Sequence, residues 1–436
     1  MRVTLAVVNA RLLSPGDPPG DLQDEDSLGP DPAGYVTVLV AGGQIAAVWH
    51  QDERGAHLEI PSHAAVLDAQ GGYVAPGFLD VHVHGGAGAD FMDATPQALR
   101  AICAFHASGG TTGLLATTAA APEDELRHAL EIIAGVQGEV QGEETGGAAI
   151  LGAHLEGPYF ALSKCGCHLP QEIRPPRPQE YLPLLDAHPG LVRWMTLAPE
   201  IEGALELITA LRARRAVPSA GHTEATEPQL LRAIEAGLRH ATHLYCAMST
   251  IVKDGPFRVP GLVETALARD DLTTEVIADG FHLAPALLKI AARAKGPSRL
   301  MLVSDAMRGA GMPDGTYAFG PRHGSPAIVE HGVARTPDNT GFASSTARMN
   351  ELVRTMVRLA GCPLLDAVQM ASTTPATALG LGASKGRVRP GYDADLVVLD
   401  SDLDVAATVV AGAVVYRRDG TATPAIPRAL PLRSSR

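Results

Sequence analysis

At 436 residues the chain exceeds the usual size of one domain, and a hydrophobic share of 46% supplies a sizeable core. A net charge of −13 speaks against nucleic acid or anionic membrane as partner, and no apolar run is long enough for a transmembrane helix. Five cysteines outside any repeated framework, and an alternating start (MRVTLAVVNARLLS) without a cleavage pattern, predict a cytoplasmic protein.

Residues 1–73 read as short strands, VTLAVVNARLL, YVTVLVAGGQIAAVW and HAAVLDAQGGYV, with a Pro/Gly/Asp-rich loop over 14–34. From residue 74 the pattern changes. Apolar runs typical of doubly buried parallel strands alternate with amphipathic helical stretches. Eight runs follow in order: YVAPGFLDVHVH, TTGLLATT, AAILGAHLEG, LVRWMTLAPE, AVPSAGHT, LRHATHLY, TTEVIADG and RLMLVSDA. Eight strand–helix units over roughly 300 residues predict a (β/α)8 TIM-like barrel. An open doubly wound sheet is the alternative, but no glycine-rich dinucleotide fingerprint follows the first run. GRVRPGYDADLVVLD and VAATVVAGAVVYRRDG then return to short strands, which predicts a small β-sandwich domain built from both chain ends. The expected division is 1–73, 74–382 and 383–436, with a loosely held tail after about 420.

In such a barrel the polar residues at the C-terminal strand ends form the active site. Here these are His82 and His84 (first run), Glu156 (third), His222 (fifth), His243 (sixth) and Asp305 (eighth). Strand residues two apart share a face, so His82 and His84 look the same way. Imidazole nitrogen and carboxylate oxygen suit zinc, iron or another first-row divalent ion. A single rim histidine is usually a hydrogen-bonded structural residue; four with two carboxylates, all at strand ends, are a ligand set. Cys165 and Cys167 have no second pair and read as plain cysteines. His106 and His240 lack such context and read as ordinary residues.

The words around these positions carry a resemblance. HLEGPY (154–159), KCGCH (164–168), AGHTEA (220–225), THLYCAM (242–248), FRVPG (257–261), ADGFH (278–282) and SDAM (304–307) resemble the N-acetylglucosamine-6-phosphate deacetylases of the amidohydrolase superfamily, over nearly the whole chain. The fourth run lacks the lysine that related hydrolases carboxylate to bridge two metals. The resemblance implies hydrolysis of the 2-acetamido group of N-acetylglucosamine 6-phosphate to glucosamine 6-phosphate and acetate, in amino-sugar catabolism or cell-wall recycling. It implies a three-ligand site of Glu156, His222 and His243. Asp305 would take the proton of the attacking water and return it to the departing amine; a ligand role for it is compatible. His168 would bind substrate and stabilise the oxyanion. Relatives with His-x-His can hold a second ion bridged by the glutamate, so His82 and His84 permit one or two ions per subunit, zinc first and iron second.

The same resemblance has Cys246 and Ala247 holding the phosphate through backbone N–H groups, with Cys167 beside the substrate. Arg258 and His282 would reach it from the neighbouring subunit, which implies a homodimer with shared sites. Where the family usually has Asn, Ala and Gly-Ser, this chain has Cys246, Cys167 and Ser344-Ser345. Two other readings remain. A deacylase of another N-acylated amine, such as an N-acyl amino acid, would not need Arg258 and His282 as basic groups. A non-catalytic scaffold would have lost ligands that this chain keeps.

Overall fold

The computed structural model describes residues 2–16, 34–50, 59–139 and 146–418, so most of the 14–34 loop and the tail after 420 lie outside the described residues. The eight predicted runs each yield a strand of one parallel sheet, neighbours in chain order. They are Phe78–Val83, Thr111–Thr118, Ala149–Glu156, Val192–Leu197, Val217–Ala220, His240–Ala241, Thr273–Val276 and Leu300–Leu302. The sheet curls into a near-closed barrel. Its seam, between the eighth strand and the first, is joined by Asp305 N–H donating to the His82 carbonyl (2.8 Å) and His84 N–H to that of Ala306 (2.9 Å). The Asp80 carboxylate adds to this seam by accepting from Ser304 N–H (3.2 Å) and Oγ (2.5 Å).

Helices cover the outside. In Pro96–Ala107 the buried residues Leu99, Ile102, Cys103 and His106 recur every three or four positions, and the Thr95 hydroxyl caps the start by accepting from Ala98 N–H (3.3 Å). Inside the barrel Val81, Leu115, Trp194, Ile277, Met301 and Val303 form their own apolar plug. That plug closes the lower barrel and leaves the strand ends as the open face. Among the described residues no helix is long and apolar enough to cross a membrane.

The strands from the two chain ends form a second sheet around Val3–Leu12, which pairs with Val36–Ala41 and Ala65–Asp68 along one part and with Tyr73–Pro76 along the other. Leu396–Leu399, Val405–Val410 and Ala413–Arg417 extend it beyond Tyr73–Pro76. Both parts feed one apolar cluster, in which Leu5, Val38 and Ile45 meet Val74, Leu396 and Val409. The first predicted run is therefore divided: Tyr73–Pro76 serves the end sheet and Phe78–Val83 the barrel. Gly77 makes the handover, because a Cβ there would stand 2.1 Å from the Thr112 side chain.

Candidate active site

All six strand-end residues meet at the open face, where each side chain is buried. Glu156 is the hub. Its Oε1 lies 3.3 Å from His82 Nε2, 3.3 Å from His222 Nε2 and 3.2 Å from His243 Nε2. Its Oε2 lies 3.1 Å from His84 Nε2 and 3.1 Å from His168 Nε2. Asp305 Oδ1 closes the ring, 3.3 Å from His84 Nε2 and 3.6 Å from His82 Nε2. The donor atoms fall into two groups of ion-binding spacing, Glu156–His222–His243 and His82–His84–Asp305.

Several observations fit these groups to divalent ions. Ligands about 2.0–2.1 Å from a tetrahedral ion stand about 3.3 Å apart. His222 Nε2 and His243 Nε2 are 3.2 Å apart and each is 3.2–3.3 Å from Glu156 Oε1, the spacing of three ligands around one ion. His82 Nε2 and His84 Nε2 are buried with the carboxylate oxygens of Glu156 and Asp305 as their nearest polar neighbours, so both lone pairs and carboxylates converge on one point. Tautomers point the same way. His222 Nδ1 must donate to the Lys164 carbonyl (2.7 Å), and His82 Nδ1 faces the Glu275 carboxylate (2.7 Å), so each keeps a lone pair on Nε2 for an ion. His168 is the opposite case. Its Nδ1 accepts from Ala120 N–H (3.1 Å), which leaves the ring proton on Nε2 and makes the residue a donor to the site.

Backbone strain concentrates here. His222 (φ 49°), His243 (φ 25°), Tyr245 (φ 77°), Ala247 (φ 44°), Asp305 (φ 47°) and Ser344 (φ 67°) all occupy left-handed space that disfavours a side chain, at about 1–3 kcal/mol each. The sixth strand is only two residues long for this reason: the chain must turn at once to bring His243 inward.

Without an ion the charges compensate one another. Burial pushes the Glu156 carboxyl up, but His82, His168 and His222 outweigh it and hold it well below the usual range. Asp305 is likewise kept low by His82 and His84 against burial. Burial opposes the charged form of His84 too, yet its contacts with Asp305 and Glu156 lift it to about 9. His222, where burial prevails, drops to about 4 and is neutral at physiological pH.

Above this cluster opens a cavity of about 460 Å³, lined by the chemistry-bearing Glu156, His168, His222, His243 and Asp305 and, higher up, by Lys164, Cys167, Cys246, Ala247 and His282. The thiols are not nucleophiles: burial raises Cys167 well above its ordinary value and Cys246 to about 12. Two expectations from the resemblance are altered. His282 lines the cavity of its own chain, its Nδ1 held by Asp279 Oδ2 (2.8 Å) and its ring stacked on Phe342 at 4.2 Å, so it does not need a neighbouring subunit to reach the site. Cys246 N–H already donates to the His243 carbonyl (2.9 Å), which leaves Ala247 N–H as the available backbone donor of that pair.

Arg258 does not line the cavity. It sits exposed on the hairpin Val252–Asp254/Phe257–Val259, with its guanidinium 3.4 and 3.5 Å from the Pro256 and Phe257 carbonyls. Glu264, an acid six residues on, instead accepts from Thr250 Oγ1 and Gly261 N–H. One neighbour of the site escaped the sequence reading, and a second, Ser344, stood there only as a departure from the resembled family. Glu275 lies beneath the ligands, and the Ser344 hydroxyl donates to Asp305 Oδ1 (2.9 Å). Lys164, the one Lys or Arg among the described residues lining this cavity, was also overlooked as a site residue.

Comparison with known proteins agrees with this geometry. Residues 73–415 match the family model described as "Amidohydrolase family". The chain is 38% identical over 343 residues to the N-acetylglucosamine-6-phosphate deacetylase of Bacillus subtilis (strain 168), covering 78% of this chain and 84% of that one. It is 36% identical over 375 residues to the N-acetylgalactosamine-6-phosphate deacetylase of Escherichia coli O157:H7, covering 86% and 93%. Among solved structures, a mutant N-acetyl-D-glucosamine-6-phosphate deacetylase from Mycobacterium smegmatis, in complex with N-acetyl-D-glucosamine-6-phosphate, superposes with TM-score 0.79 at 34% identity, covering 95% of this chain and all of that one.

Proposed function

The chain belongs to the amidohydrolase family, and from that premise we propose that it is a metal-dependent hydrolase that removes the acetyl group of N-acetyl-D-glucosamine 6-phosphate, giving D-glucosamine 6-phosphate and acetate. One observation carries the reading: Glu156, His222, His243 and Asp305 line a cavity of about 460 Å³, and the buried His82 and His84 converge on the same carboxylates. Glu156, His222 and His243 would hold a divalent ion, and His82, His84 and Asp305 would hold a second; bound there, such ions would supply Lewis acidity, and zinc suits the mixed nitrogen–oxygen set first.

The chain's own groups supply the rest. Asp305, ionised and open to the cavity, takes the proton of the attacking water and delivers it to the departing amine. His168 offers Nε2–H to the carbonyl oxygen as charge develops on it. Lys164, whose Nζ also lies 3.6 Å from Glu224, and His282 and Ala247 N–H line the same cavity and would meet the phosphate, offsetting locally the chain's net charge of −13. Arg258 completes that set from a second copy of the chain. The exposed Ile251, Val252 and Phe257 around it support this reading, as an apolar surface that docking on the other subunit of a homodimer would cover.

Acetate release from N-acetylglucosamine 6-phosphate is the direct test. It should exceed release from the unphosphorylated sugar and from acetylated amino acids. N-acetylgalactosamine 6-phosphate is the serious competitor, because one relative is named for it; faster release from that epimer would change the substrate and leave the chemistry. Asp305→Asn should cost roughly 10²-fold or more in kcat with the fold intact. Arg258→Ala should raise KM for the phosphorylated sugar alone, and mixing the two variants should regain activity in hybrid sites. No regain under demonstrated subunit exchange would rule out the shared site.

A further inference from the structure

The seventh strand, Thr273–Val276, carries a carboxylate where an apolar residue would be expected. Glu275 is fully buried and does not line the cavity, so it cannot touch substrate. An unpaired carboxylate in that position would cost several kcal/mol. It is held by three nitrogens. Oε1 faces His82 Nδ1 at 2.7 Å and accepts from His243 N–H at 3.1 Å, while Oε2 faces His240 Nε2 at 3.1 Å. The backbone joins in, with Leu244 N–H donating to the Glu275 carbonyl (2.8 Å).

These partners belong to different ion groups. His82 is a member of one and His243 of the other. Resting on the two-ion reading above, we propose that Glu275 is a positioning residue that ties both ligand groups together: it fixes the His82 tautomer and pins the strained His243 backbone. With Nδ1–H committed to a carboxylate, His82 can present only its Nε2 lone pair upward, and as a more basic ligand. At φ 25° His243 would relax toward ordinary backbone space without a bond on its N–H. His240, which looked ordinary in sequence, orients the far side of Glu275. Its Nδ1 in turn meets Thr273 Oγ1 at 2.7 Å.

That last contact makes a clean variant possible. In Glu275→Gln the amide oxygen can still serve His82 and His243. The amide NH2 can donate to His240 Nε2 once the ring moves its proton to Nδ1, where Thr273 Oγ1 accepts it. Charge is lost while the network survives. Zinc titration of the ion-free protein by calorimetry, with bound zinc counted after dialysis, is the experiment. Glu275→Gln should fold and melt like wild type, keep KM, and bind the His82–His84 ion roughly 10–100-fold more weakly. Unchanged affinity for that ion in Glu275→Gln would overturn the proposal. If wild type itself takes up one zinc, the two-ion reading falls and Glu275→Ala decides, since it removes the support of His243 as well. A folded alanine variant with wild-type affinity for that one ion then overturns the role of Glu275.

Discussion

The end sheet and the barrel mouth are built on opposite terms. In the end sheet, apolar residues from both chain ends close on one another, and the buried charge of Asp395 is met by Lys385 Nζ at 2.5 Å. Its left-handed residues Asn9, Gln70 and Ala411 sit at a bulge and in turns, where the chain has to change course. The mouth instead gathers imidazoles and carboxylates out of water and bends the backbone at the residues that carry the chemistry. One region stabilises itself; the other is held in place by its surroundings for the sake of what it binds. Substitutions should therefore separate, moving stability in the first and ion binding or turnover in the second.

The largest separation should come from the mouth. His222→Ala or His243→Ala removes one of three ligands of the group that includes Glu156, and should abolish tight ion binding and activity together. His82→Ala or His84→Ala should lose at most the second ion. Elemental analysis beside acetate release reads both. Equal loss of all ion in the two pairs would make the two groups one obligatory site.

Leu396→Ala should show the converse. Leu396 is fully buried in the end sheet, and its truncation should lower unfolding free energy by about 2–5 kcal/mol. The kcat of the folded fraction should stay as it was. A matching fall in kcat would mean that the end sheet shapes the mouth and that the contrast is false.

Chelation sharpens the comparison through pH. In the ion-free chain His84 is lifted from about 6.5 to about 9, so its contribution is complete below pH 6.5 and is lost as pH rises through 9. At about 1.4 kcal/mol per unit this is on the order of 3 kcal/mol. The ion-free chain should melt lower at pH 9.5 than at 6.5, whereas the ion-loaded chain, with His84 a neutral ligand, should change little across that window. A flat ion-free curve would mean that His84 carries no proton for an ion to displace.

The two regions also differed in how far sequence could describe them. Doubly buried parallel strands read as apolar runs, so all eight barrel strands were legible, and so was the meeting of the candidate ligands, because a barrel projects its strand ends to one face. Glu275 was not. Inside TTEVIADG it looked like a polar residue at a strand start, although a lone acid in a buried run has to find partners, and His240 was the signal for one. Asp80, which joins the seam through Ser304, was missed in the same way. Backbone strain has no sequence signature when the residues are His, Asp and Ser rather than Gly. The placing of His282 in its own chain followed from a turn that packs it on Phe342, a contact 60 positions away that periodicity cannot show.

Ser344 gives the smallest expected effect and the finest test of the contrast. It stands where the resembled family usually has Gly, at φ 67°, a conformation that Gly adopts freely and Ser does not. Its hydroxyl contacts the Asp305 carbonyl and donates to Asp305 Oδ1 at 2.9 Å, so the added side chain steadies the carboxylate to which the proposed mechanism gives the proton transfer. Ser344→Gly relieves strain worth about 1–3 kcal/mol. It gives up a hydrogen bond worth about 1 kcal/mol and restores some chain entropy to the unfolded state. The terms nearly cancel, so the melting temperature should hold or rise slightly. The kcat should fall several-fold with KM and ion content unchanged, because Asp305 loses its anchor while the phosphate end and the ligands keep theirs. If kcat stays at wild type while the protein becomes more stable, the hydroxyl serves only the backbone of Asp305, and the mouth carries strain at this position without return.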